Sequence, residues 1–101
     1  MALWKDMLVL GTEAEKDNND PYQSGEIIWG SPLFANRQPV HASEFHAAQA
    51  EGREVQHMFE VRPAEYTGET FARYDGQVYQ IYRTYQKAEN VIELYLSDKR
   101  A

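Results

Sequence analysis

Thr70-Phe71-Ala72-Arg73-Tyr74, then Asp75-Gly76, then Gln77-Val78-Tyr79-Gln80-Ile81-Tyr82-Arg83-Thr84-Tyr85 is the stretch whose reading decides the fold. Two runs rich in aromatic and β-branched residues flank an Asp-Gly pair. Both residues of a two-residue hairpin turn must accept positive φ, and Asp-Gly does so readily. The turn sets a register in which Ala72 faces Tyr79, with Thr70, Tyr74 and Ile81 on the same face and Tyr82 on the other. Downstream, a polar turn around Lys87–Asn90 precedes Ile92, Leu94 and Leu96, which alternate with Val91, Glu93 and Tyr95. That alternation predicts a third strand returning along the second. Upstream, in Glu54–Arg62, Val55, His57, Phe59 and Val61 alternate with Glu54, Gln56, Met58, Glu60 and Arg62. Period two with such residues predicts a half-buried strand.

The N-terminal half is less regular. Leu3–Leu10 reads as a strand, but both alternation frames hold apolar residues, so its buried face is not assigned. Glu26–Trp29 and Leu33–Gln38 read as two strand pieces broken by Gly30-Ser31-Pro32, a pattern that suggests a bulge or a sheet edge. One helix is expected. Ser43 is its N-cap, Glu44–Ala50 its body and Gly52 its stop, with apolar contacts from Phe45, Ala47 and Ala48. Between Gly11 and Gly25, Glu13, Glu15, Asp17 and Asp20 stand against Lys16 alone. With ten residues before it, this stretch reads as a long acidic loop within one domain, residues 1–101. The expectation is a flexible loop, disordered in the free protein and ordered on assembly. The fold class is mainly β, a small antiparallel β-barrel or sandwich carrying one short α-helix.

Composition narrows the chemistry. The 101 residues hold no cysteine, which excludes disulfides, thiolate catalysis and Cys-based zinc sites. Ten basic residues against sixteen acidic ones leave a net charge of −6, a poor balance for gripping phosphates. The apolar start is too short for a membrane span and lacks a signal peptide's basic leader, so a soluble intracellular domain without membrane contact is expected. No serine lies in a nucleophile-elbow sequence. His57 falls in the apolar frame of its strand and reads as a hydrogen-bonded core or interface histidine. His41 and His46 are five apart, off one helical face, so with Glu44 they read as polar residues flanking the helix. Asp17-Asn18-Asn19-Asp20 suggests a calcium loop, but Tyr22 stands where an EF-hand needs glycine. There is no glycine-rich phosphate loop. No cofactor, metal or catalytic residue is predicted.

Seven tyrosines remain to be explained, and five of them lie in the C-terminal meander. They occupy both faces, more than one small core hides. Tyrosine is enriched at protein interfaces, because it adds large contact area and a polar tip at low entropy cost. Tyr82, Tyr85 and Tyr95, with Asp17, Asp20 and Tyr22 of the acidic loop, are therefore the candidate subunit or partner interface.

In its residues and their order the chain resembles the phage head–tail joining family, also described as head-closure, head-completion or stopper proteins. Leu33-Phe34-Ala35-Asn36 and the segment up to Ser43-Glu44-Phe45 look like the family's strand leading to an acidic helix start. Phe59-Glu60-Val61-Arg62 follows in its strand, then Tyr74-Asp75-Gly76-Gln77-Val78-Tyr79-Gln80-Ile81 as the hairpin and Leu94-x-Leu96 as the last strand. The long turn ending in Ser24-Gly25, with Trp29 after it, also fits. Gly30-Ser31-Pro32 departs from the pattern and puts the local pairing in question.

The resemblance implies a structural protein of a tailed bacteriophage or prophage, found in the virion and in host cytoplasm during assembly. It implies a ring of copies of itself, dodecameric in the virion and often monomeric when isolated. That ring lies below the portal and adaptor, closes the DNA-filled head and docks the tail. DNA would pass through its channel without specific binding, which an acidic or mixed lining allows. Two other readings stand beside this one: a tail-completion or tail-terminator connector, and a small β-barrel that stacks single-stranded nucleic acid on tyrosines.

Overall fold

The computed structural model describes residues 5–13, 26–52 and 54–98. Its strands are β1 (Asp6–Glu13), β2 (Ile27–Trp29), β3 (Leu33–Gln38), β4 (Val55–Val61), β5 (Phe71–Tyr74), β6 (Gln77–Ala88) and β7 (Val91–Asp98). One helix, α1 (Ala42–Ala50), joins β3 to β4, and a 3₁₀ turn spans Pro63–Glu65. Every pairing is antiparallel. In the order β1-β3-β4-β7-β6-β5 the sheet closes on itself through β1 and β5, with β2 added beside β1. The result is a barrel and not a sandwich. Closure pairs both edges of β1 and removes a seam that would otherwise be open.

The core fills the barrel. Leu8, Leu10, Ala35, Phe59, Val61, Ala72, Ile81, Leu94 and Leu96 form one buried cluster, with Tyr66, Tyr74 and Tyr79 packed against it. Asp75 (φ 51) and Gly76 (φ 77) both lie in the left-handed region, and Ala72 pairs with Tyr79 as the Asp-Gly turn requires. Thr70 ends up exposed just before β5. The Gly30-Ser31-Pro32 break is a bulge. Trp29 pairs with Gly11 and Leu33 with Leu8, so the β2–β3 side carries one extra residue.

Several boundaries differ from expectation, each for a local reason. β1 begins at Asp6 and runs to Glu13, so Gly11–Glu13 are strand and not loop. Gly11 pairs with both Trp29 and Phe71, and these partners extend the strand. Leu8 and Leu10 face inward, which settles the face that alternation left open. α1 starts at Ala42 with His41 as N-cap, and no side-chain cap bond forms. Ser43 is therefore inside the first turn. Ala48 packs, Ala47 stays exposed, and the Phe45 side chain lies outside the described residues. β6 runs on to Ala88, leaving Glu89 and Asn90 as the turn.

β4 holds the largest difference. Its register shifts between Val55 and His57, so Gln56 is the extra residue of a bulge. Val55 is thereby turned onto the outer face beside Met58, which is 2% exposed despite falling in the polar frame.

Gly11 is a close-approach position. A Cβ there would lie 2.6 Å from Ile27 Cγ2 and 2.7 Å from Trp29 Cε3. The indole also carries the Arg73 guanidinium, 4.9 Å from its ring centre. Gly11→Ala is expected to destabilise by about 1–3 kcal/mol, read from urea unfolding. An unchanged midpoint would show that Trp29 yields without penalty.

Candidate docking site on the outer face of the barrel

β7 is covered on both sides. Leu94 and Leu96 point into the barrel, while Tyr95 (4% exposed) points outward into a second cluster with Ala48, Val55 and Met58. Val40 and Tyr82 pack at its edge. This small outer core seats α1 on the sheet, which explains why a nine-residue helix without a side-chain cap holds its place. Tyr82 points outward by alternation from Ile81, and the register shift between Ile81 and Arg83 brings Arg83 and Tyr85 onto the same outer face.

Charged groups ring that core. Tyr82 Oη donates to Glu44 Oε1 at 2.9 Å, and Arg83 Nη1 makes a charge-assisted bond to Glu44 Oε2. The Arg83 guanidinium lies 4.9 Å from the centre of the Tyr95 ring. Asn36 Nδ2 (2.9 Å) and Lys87 Nζ (3.1 Å) both donate to Glu60. Tyr95 Oη donates to Glu93 Oε1 at 2.9 Å. Burial, then the hydrogen bond to Glu93, pushes the Tyr95 phenol up to about 12. Burial and the bond to Glu44 likewise raise Tyr82. Both phenols thus remain donors at neutral pH. Between α1 and the outer face of β6 and β7 lies an open depression of about 490 Å³. It is walled by His41, Ser43, Glu44 and Ala47 and floored by Arg83, Tyr85, Lys87, Glu93 and Tyr95.

A separate polar group closes one region of the barrel wall. Arg37 Nε donates to His57 Nδ1 at 3.1 Å. Arginine cannot accept, so Nδ1 is the bare nitrogen and Nε2–H faces Tyr79 Oη at 3.2 Å. The Tyr74 and Tyr79 rings meet the imidazole edge-on at 5.3 and 5.0 Å. Burial, then the Arg37 charge, lowers the His57 pKa. Between the unfolded value near 6.5 and the lower folded value, the unfolded chain binds more protons. Stability from this group is therefore present above pH 6.5 and lost as the pH falls through that window. Urea midpoints are expected to drop from pH 7.5 to 5.5, with a shallower drop in His57→Gln. Parallel profiles would contradict this role.

A family model of the phage head completion protein matches residues 9–97. The chain belongs to the phage head completion protein family. No curated protein matches it. The matched span runs from β1 through β7, so the barrel, α1 and the outer groove are all parts of a head completion protein. Such a protein is structural, with a place in the virion. No described helix is long and apolar enough to cross a membrane. Among the described residues no three of His, Asp and Glu are grouped to hold a metal ion.

The six interface candidates fall in different places in this head completion protein. Tyr85 is 54% exposed on the groove floor, Tyr82 is half-buried against α1, and Tyr95 is buried beneath it. Asp17, Asp20 and Tyr22 lie outside the described residues, as does the rest of the expected flexible loop beyond Glu13. Sequence reading missed Glu44, Glu60 and Glu93, all 7% exposed, because each stands in a polar frame that looks solvated. Arg83 and Lys87 alternate with Tyr85 on one face of β6, a pattern that could have marked the groove floor.

Proposed function

We propose that this head completion protein forms a ring of its own copies below the portal and adaptor, closing the DNA-filled head and docking the tail. The family match over residues 9–97 carries the reading. Beyond the bulge, Arg83–Ala88 pair with β7, while β5 pairs with β6 only as far as Gln80, so among the described residues the outer half of the hairpin offers a strand edge. Tyr85 stands on that half with its ring turned to solvent. Both features suit contact with protein neighbours. The net charge of −6 suits a channel through which DNA slides unheld. Assembly takes place in host cytoplasm, the virion ring is dodecameric, and the isolated chain is monomeric.

Tyr85→Ser is the variant that tests the interface, since Tyr82 and Tyr95 also hold α1. It is expected to leave the unfolding free energy within about 0.5 kcal/mol of the parent. The yield of tailed particles is expected to fall at least about tenfold, the loss of roughly 1.4 kcal/mol at each contact being repeated around a ring. Undiminished yield would remove Tyr85 from the interface. Absence of the protein from purified particles would remove the reading itself.

A further inference from the structure

Glu44 and Glu93 line the groove with Arg83 and Lys87, and Glu60 stands beside it as the cross-strand partner of Glu93; all three carboxylates are 7% exposed. Arg83 answers Glu44, and Lys87 answers Glu60. Glu93 has the Tyr95 hydroxyl on Oε1; Lys87 interacts with its charge, but among the described residues no cation is in direct ion-pair contact with it. A carboxylate this withdrawn from water gains most from a hydrogen-bonding cation in direct contact. Glu93 nevertheless lines an open depression of about 490 Å³.

The walls add a second preference. Tyr85 is the cross-strand partner of Glu93, and its ring is 54% exposed. Tyr95, two residues along β7, already carries one guanidinium against its ring. A carboxylate beside the exposed Tyr85 ring suits a planar cation that stacks on the ring while donating to the carboxylate, which a guanidinium does better than an ammonium. With Lys87 drawn to Glu60, the Glu93 carboxylate disfavours an acidic partner at this spot. We propose that Glu93, with Tyr85 beside it, receives an arginine side chain from a partner protein. That the arginine belongs to a protein rests on the docking role proposed above; the pairing chemistry rests on the groove alone. Arginine is enriched where interface energy concentrates, commonly beside tyrosine.

The test is a titration of ¹⁵N-labelled protein with acetyl-Gly-Arg-Gly-amide, followed by NMR, with the citrulline peptide as its uncharged counterpart. Saturable shifts are expected at the amides of Tyr85, Glu93 and Tyr95. Affinity is expected to fall at least about tenfold for the citrulline peptide and in Glu93→Gln, a difference of roughly 1.4 kcal/mol. Circular dichroism checks that Glu93→Gln is folded. If it is not, Tyr85→Ala takes its place with the same expected loss. No saturable shift up to about 20 mM (a free energy near 2 kcal/mol) would overturn the proposal. So would a difference under tenfold, shifts confined elsewhere, or tighter binding of acetyl-Gly-Glu-Gly-amide. Particle incorporation is measured separately. A protein present in particles yet indifferent to the arginine peptide sinks this inference and leaves the proposed function standing. An arginine response with no protein in particles does the reverse.

Discussion

Tyr95→Ala is expected to lower the unfolding free energy by about 3–5 kcal/mol, the range for removing a buried aromatic side chain. The ring is 4% exposed, packs with Ala48, Val55 and Met58, and lies under the Arg83 guanidinium. Truncation opens a cavity beneath α1 and removes the hydroxyl that donates to Glu93. A domain of this size has roughly 5–15 kcal/mol in total, so the variant stands close to unfolding. Urea denaturation followed by circular dichroism measures the loss. Tyr85→Ser provides the contrast within the same meander, because its exposed ring contributes little to the monomer. Equal losses at the two positions would mean that α1 does not cover Tyr95 in solution.

Phe59→Ala is expected to be at least as severe, again about 3–5 kcal/mol. Phe59 is fully buried at the centre of the barrel cluster, with its ring centre 4.8 Å from that of Tyr74 and 5.8 Å from that of His57. β4 joins β3 to β7, so a void there loosens both neighbours at once. The His57 contribution should weaken with it, since Phe59 helps hold the imidazole between Arg37 and Tyr79. The measurable signs are a lower urea midpoint and a flatter pH dependence between 7.5 and 5.5. A loss below about 1 kcal/mol would show that the barrel collapses around the gap.

Where local rules compete with nothing, the chain is legible. Asp75-Gly76 determines the β5–β6 register because both residues must take positive φ, and no distant contact alters that. Leu94 and Leu96 read correctly as inward because β7 stays regular across them. Val55 did not, since the bulge at Gln56 turns it outward, and Met58, outward by frame, is buried by its packing with Ala48 of α1, Val55 and Tyr95. Alternation assumes an unbroken ladder, and one inserted residue reverses it. Leu3–Leu10 was ambiguous for a related reason: Met7, outward and 47% exposed, has the same apolar character as inward Leu8.

The candidate site was legible only in part. Tyr85 could be singled out by residue type and meander position. That Tyr95 is buried, and that Glu93 shares its groove with Tyr85, depends on a helix from residues 42–50 lying across a strand from residues 91–98. Frame alone makes Glu44, Glu60 and Glu93 look solvated.

The order of elements, the β character, the Asp-Gly hairpin and the absence of thiol chemistry were written in the sequence, because each depends on residue type and near neighbours. Barrel closure between β1 and β5, the burial of β7 on both faces and the charge arithmetic of the groove belong to the tertiary structure. They join residues far apart in the chain, and desolvation of a carboxylate is a property of whatever comes to cover it.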